Sequence, residues 1–298
     1  MRLPRLHAIL MVAILMVAVP GLAVAAVAPG ELPGNARWYL HADLVEMRGS
    51  EVGRQLYGWL DKELFADLRN DLGVDLGAET DRVTVFSQGD DDAVLAIRGR
   101  FSDQTREKVL ALAKREARVD EREADGSRYY QLGQMDDADF DGYFTFAIDG
   151  LLLFTSEAAT MEKLLADGGR VEEREAADGT LFVLTADRNL MQGGIRPQAG
   201  AGGSWESRIL EHTREAAFFV ADRDGLAAIE ATIVASDPGM ALAVGGIVGG
   251  LIGLQAVAAE EEPALAELLS KTKVTVNEGT VGISALVEPE LMTRLLAR

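Results

Sequence analysis

Two short apolar runs joined by a turn and followed by a helical pattern recur four times along this chain. One of the turns is Asp149-Gly150, the type of dipeptide that most strongly favours a tight hairpin. The paired runs are Val83–Phe86 with Ala93–Ile97, Tyr143–Ile148 with Leu151–Thr155, Phe218–Ala221 with Ala228–Val234, and Val274–Val276 with Val281–Leu286. Because a hairpin joins neighbouring strands that run in opposite directions, this pattern predicts mainly antiparallel sheets.

A helix-start signal follows each hairpin. The signals are Ser102, Ser156, Asp237-Pro238 and Pro289. Additional strands are predicted at Trp38–Asp43, Ser127–Leu132 and Leu181–Ala186, and an additional helix is predicted from Ser50. We therefore predict an α+β fold: mainly antiparallel sheets with helices packed on one face, built from repeated ββα units in two similar halves.

The predicted halves are separated where the apolar pattern lapses, between Gly168 and Gly179. This stretch begins with Gly168-Gly169, contains the charged run Glu172–Glu175 and ends at Gly179. We therefore predict an N-terminal α+β half at 36–170 and a C-terminal half at 178–298. The Gly- and Ala-rich segment Gly193–Gly203 is predicted to be a surface loop.

Residues 1–25 have the pattern of a secretory signal peptide. Arg2 and Arg5 precede the uninterrupted apolar run Ala8–Val19, and Ala23 and Ala25 form an A-x-A cleavage site. This pattern predicts export to the periplasm or the extracellular space. The alternative is an uncleaved N-terminal helix that anchors the protein, because the uncharged stretch approaches the length that a bilayer requires.

The mature chain is strongly acidic and has no cysteine. The full sequence has 29 basic and 48 acidic residues and a net charge of −19, and removing Arg2 and Arg5 makes the net charge −21. Such a charge repels phosphate backbones, so nucleic acid is not an expected partner. The absence of Cys excludes disulfides, thiolate nucleophiles and thiolate metal ligands.

The segment Met240–Ala259 is apolar, uncharged and rich in glycine. Its length and G-x-x-x-G spacing fit a membrane helix. Because it lies between a predicted strand and a predicted hairpin, we expect a buried helix whose glycines allow close packing on the sheet. Membrane association is therefore the less favoured interpretation. A groove for an apolar ligand or a partner helix fits either interpretation.

No motif for catalysis by a serine, a bound metal or a bound nucleotide is present. The mature chain has two histidines, and both have structural interpretations: His41 alternates along a strand, and His212 is predicted to lie in a charged helix.

The segment Asp136–Gly142 resembles the start of a calcium-binding loop. Asp137, Asp139 and Asp141 alternate before Gly142, as in the D-x-D-x-D-G opening of such loops. However, Ile148 occupies the position of the bidentate Glu, so any calcium affinity should be weak. An acidic, solvated approach to the hairpin is the preferred interpretation, and no other cofactor is predicted.

These features favour an exported, non-enzymatic protein that binds an unidentified protein or an apolar small molecule. One alternative is an exported hydrolase that uses paired carboxylates as acid and base. A further alternative is a protein tethered to the membrane by residues 240–259 or by the uncleaved N-terminal helix.

Overall fold

The structure is a computed structural model that describes residues 36–87, 92–133, 142–170, 179–187, 212–259 and 262–296. The chain divides into two compact units. Within the described ranges, unit 1 comprises 41–45 and 58–170, and unit 2 comprises 36–40, 46–57, 179–187, 212–259 and 262–296. The first strand and the two helices that follow it contribute residues to both units: β1 (Trp38–Asp43), α1 (Leu44–Gly49) and α2 (Glu51–Leu60). The predicted signal peptide, 1–25, lies outside the described residues, and the predicted domain boundaries stay predictions.

Unit 1 contains six strands in the antiparallel order β2-β3-β7-β6-β5-β4. The strands are β2 (Thr80–Ser87), β3 (Val94–Gly99), β4 (Arg118–Ala124), β5 (Ser127–Gly133), β6 (Gly142–Thr145) and β7 (Leu151–Thr155). A π-helical turn, Asp61–Phe65, leads from α2 into α3 (Ala66–Leu72), and the remaining helices are α4 (Leu76–Glu79), α5 (Asp103–Glu116) and α6 (Ala158–Ala166). The core lies where α6 packs on β6 and β7, and it is centred on Phe144, Leu153 and Met161.

Aromatic side chains align three strands of unit 1. Tyr130, Phe144 and Phe154 occupy neighbouring positions on β5, β6 and β7, and their successive ring centroids lie 5.0 and 5.6 Å apart. Such cross-strand stacking stabilises the register of a sheet.

Unit 2 contains five strands in the antiparallel order β11-β12-β10-β9-β8. The strands are β8 (Thr180–Asp187), β9 (Thr213–Arg223), β10 (Leu226–Ala235), β11 (Lys273–Asn277) and β12 (Thr280–Val287). Its C-terminal helices are α7 (Pro238–Ala258), α8 (Pro263–Lys271) and α9 (Pro289–Leu296). β12 pairs with both β10 and β11, so its side chains are central in this part of the unit.

The predicted fold class is confirmed, because the chain combines helices with a large antiparallel sheet. Along the chain, each of the hairpins β2-β3, β6-β7, β9-β10 and β11-β12 precedes a helix. Whether these segments are copies of one repeated ββα unit, arranged in two similar halves, stays a prediction. α1, β4 and α8 were not predicted from the sequence. β4 is mostly charged, and α8 is separated from the long apolar segment only by Glu260–Glu262.

Candidate functional site

Helix α7 begins with a strong local signal. Asp237 accepts a hydrogen bond from the backbone N–H of Met240 through its Oδ1 atom, at 3.0 Å, and Pro238 occupies the first turn. Such an N-cap satisfies one of the backbone donors that the start of a helix leaves free. The helix then runs for 21 residues, none of which is charged. The sequence therefore specifies both where α7 starts and its uncharged surface.

One side of α7 packs on the sheet of unit 2. The contact joins four helix residues spaced three or four apart to odd-numbered residues of β10 and β12 and to Val274 of β11. The buried members of this cluster are Ala235, Ala241, Val244, Val248, Val281 and Ile283. Gly245 belongs to the same side, because a Cβ atom there would lie 2.4 Å from the Cγ2 atom of Val276. This stripe holds the helix on the sheet.

The other side of α7 is exposed, which corrects the expectation of a buried helix. Leu242 is 68% exposed, Leu254 is 70% exposed and Ile247 is 40% exposed. Since successive residues of an α-helix are about 100° apart, these side chains fall on one side. We call this side the apolar face, and its exposed members are Leu242, Ala243, Gly246, Ile247, Gly250, Gly253 and Leu254.

The glycines of α7 also differ from the expectation of close packing on the sheet. Gly245 does meet the sheet, as expected. At four other positions an added Cβ atom would meet nothing within 4 Å: Gly246, Gly249, Gly250 and Gly253. Most of the glycines therefore leave the exposed side of the helix without side chains, and they do not serve its contact with the sheet.

The apolar face is unusual among the described parts of the chain. Of the described helices, α7 alone is long and apolar enough to cross a bilayer, and only 22% of its most apolar window is buried in the protein. Three of the six large, exposed hydrophobic side chains in the described ranges lie on it; the other three are Val45, Val276 and Leu286. Large contiguous apolar patches of this kind mark binding surfaces for proteins, ligands or membranes.

The predicted calcium ligands Asp137, Asp139 and Asp141 lie outside the described residues, so the calcium site stays a prediction. Gly142, the last residue of the motif, is described and begins β6. Elsewhere in the described ranges, no cluster of three or more His, Asp or Glu side chains forms a cage for a metal ion.

His41 and His212, the two histidines that follow the predicted signal peptide, lie in different settings. His41 is buried on β1, where its Nδ1 atom lies 2.9 Å from the Oγ1 atom of the buried Thr84. His212 precedes β9, and its backbone carbonyl accepts a hydrogen bond from the N–H of Ser236. The prediction of a helix at His212 is wrong, because β9 begins at Thr213 and pairs with β10 from its first residue.

Glu230 is the one buried Asp or Glu side chain in the described part of the chain. Burial raises its pKa, and the ion pair with Arg223 opposes that shift. Arg223 also lies over the ring of Phe219, with its guanidinium carbon 5.9 Å from the ring centroid. Because glycoside-type acid–base hydrolysis requires two carboxylates, a carboxylate paired with Arg does not supply that chemistry. The hydrolase alternative therefore gains no support from the described residues.

Comparison with solved structures identifies a similar fold. The fold resembles that of TP0453. Crystal form III of that protein matches with a TM-score of 0.50 and 9% sequence identity, over 90% of this chain and 99% of that one. Crystal form IV matches with a TM-score of 0.47 and 11% identity, over 88% and 93% of the two chains. No protein-family model matches the sequence, and no curated protein matches it. At this identity the likeness concerns the fold alone.

Proposed function

We propose that this chain is an exported, non-enzymatic binding protein that attaches to the surface of a lipid bilayer through the apolar face of α7. The observation that carries the proposal is the exposure of Leu242, Ile247 and Leu254 on a helix that has no charged residue. Covering a large aliphatic side chain releases about 1.5–3 kcal/mol when the whole side chain leaves water. Leu242 and Leu254 are about two-thirds exposed, so each would contribute about 1–2 kcal/mol.

The composition of the apolar face favours lipid over a protein partner. Its exposed members are Leu, Ile, Ala and Gly, with no aromatic residue, Met or Arg. Those missing residue types are the ones enriched at the centres of protein interfaces. A second copy of this chain is also disfavoured, because two mature molecules, each with a net charge of −21, repel each other.

The way α7 is held favours an orientation along the membrane surface. A helix of 21 residues is about 31 Å long. Because Ala241, Val244 and Val248 are packed on the sheet, only the opposite side is free to enter lipid. Helices that lie in the interfacial plane bury their apolar side to a depth of about 5–10 Å. The sheet of unit 2 would then remain in water beneath the helix.

Flotation of the mature chain, from residue 26, with phosphatidylcholine vesicles tests this proposal. Leu254→Asp replaces a contributing side chain by a charged one and should weaken vesicle binding by about 10-fold or more, since 1.4 kcal/mol corresponds to a factor of ten. Leu286→Asp is the matched control: Leu286 is 49% exposed and lies on β12, on the side of the sheet away from α7. Wild type and control should float equally.

Two results would reject the proposal. One is a wild-type chain that stays at the bottom of the gradient with vesicles of every lipid composition tested. The other is equal loss of binding in Leu254→Asp and Leu286→Asp, which would show that added negative charge, and not the apolar face, determines binding. Circular dichroism of each variant verifies that its fold is unchanged.

A further inference from the structure

The part of the chain that carries α7 has no cations. No Lys or Arg stands between Arg223 and Lys271, whereas seven acidic residues lie in that stretch, all of them outside α7. Asp237 is exposed at the start of α7, and Glu262 is exposed just beyond its end. Helices that bind anionic membranes typically carry Lys and Arg beside their apolar side. α7 has the opposite arrangement, with an uncharged face between two negative ends.

The Lys residues on the elements that pack against α7 do not offset the negative charge at its two ends. Lys271, on α8, is held by Glu267 at 3.3 Å and by a second ion pair with Glu288. Lys273, on β11, alternates with Val274, which packs in the cluster beneath α7, so its side chain lies on the other side of the sheet. Neither is therefore placed to meet a lipid phosphate beside the apolar face.

We infer that the lipid surface recognised by α7 is zwitterionic, and that anionic headgroups weaken binding. This inference rests on the proposed function and specifies its lipid class. An anionic leaflet attracts each nearby cationic residue by an amount that corresponds to about fivefold in affinity, and it repels an acidic residue by the same mechanism. Because Asp237 and Glu262 flank α7 at its two ends, we expect their charges to lie near the headgroups when the apolar face enters the membrane. Their charge therefore discriminates between lipid surfaces, while the apolar face supplies the affinity.

The experiment compares two vesicle compositions at two salt concentrations. The mature chain is titrated with phosphatidylcholine vesicles and with vesicles of phosphatidylcholine and phosphatidylglycerol in equal parts. At about 10 mM salt, where the Debye length is about 30 Å, binding to the mixed vesicles should be at least about fivefold weaker. At about 1 M salt, where the Debye length is about 3 Å, the two affinities should converge.

A pair of charge-neutralising variants tests whether the position of the negative charge in the chain matters. Asp237→Asn retains an N-cap acceptor, so α7 should persist. This variant should recover part of the affinity for mixed vesicles. Asp75→Asn is the control, because Asp75 caps α4 in unit 1 by accepting a hydrogen bond from Ala78 N–H. It removes the same charge from the chain and should leave the lipid preference unchanged.

The outcomes separate this inference from the proposed function. Equal or tighter binding to the mixed vesicles at low salt overturns the zwitterionic preference and leaves the proposed function standing. Recovery of affinity by both variants alike also overturns it, since the net charge of the chain would then be responsible. Absence of binding to both the phosphatidylcholine vesicles and the mixed vesicles overturns the proposed function itself.

Discussion

The contact between α7 and the sheet can be tested at two glycines of the same helix. Gly245 faces β11, and a Cβ atom there would lie 2.4 Å from Val276 Cγ2, whereas ordinary carbon–carbon contacts are about 3.5–4.0 Å. The helix or Val276 would therefore have to move by more than about 1 Å, and overpacking of this kind costs about 1–3 kcal/mol. The gain in helix propensity from Gly to Ala is at most about 1 kcal/mol. Gly245→Ala should therefore lower the free energy of unfolding by up to about 2 kcal/mol.

Gly250→Ala is the matched substitution on the apolar face. A Cβ atom there meets nothing within 4 Å, so the gain in propensity is unopposed and should stabilise the protein by about 0.5–1 kcal/mol. Thermal and urea denaturation of the chain from residue 26 measure both effects, with about 2–4 °C expected per kcal/mol. In the Gly245→Ala background, Val276→Ala should restore part of the loss. Equal stabilisation by the two glycine substitutions would refute the described packing of α7.

Two further predictions concern buried polar groups. Because the folded-state pKa of Glu230 is raised, its ionisation disfavours the folded state, and stability falls as the pH rises through and above the usual carboxyl range. Glu230→Gln should flatten that dependence in urea denaturation measured from pH 4 to 8, and an unchanged profile would contradict the assignment. Thr84→Val removes the contact with His41 Nδ1 and should destabilise the protein by about 1–3 kcal/mol. A change below about 0.5 kcal/mol in its thermal unfolding would argue against this hydrogen bond.

Most strands could be predicted because turn residues and apolar runs mark them locally. β1 has the predicted bounds, Trp38–Asp43. β4 was missed because its residues are mostly charged, although the Asp125-Gly126 turn that joins it to β5 carries a hairpin signal: both residues have positive φ. The hairpin at Asp149-Gly150 has a longer loop than predicted, since β6 ends at Thr145.

The candidate site could be predicted only in part. The N-cap at Asp237 and the uncharged run identify α7 from the sequence. Its apolar residues are spread around the whole helix, however, so no periodicity distinguishes a covered side from an exposed one. Which side is free depends on Val281 and Ile283, about 40 positions along the chain, and on the register of β12 with β10. The sequence of the helix alone does not reveal which side is exposed, because this depends on tertiary packing.

The glycines of α7 have a consequence for how easily the helix can change shape. Each lowers the intrinsic tendency to be helical by about 1 kcal/mol relative to Ala, and Gly246, Gly249, Gly250 and Gly253 make no compensating contact with the sheet. The helix is therefore maintained by its contacts with the sheet and with α8, and its exposed glycines lower the free energy that is needed to open it locally. The glycines thus make the surface proposed to meet the membrane easier to deform, so that it can adjust to the curvature of a bilayer while the strands beneath it keep their pairing.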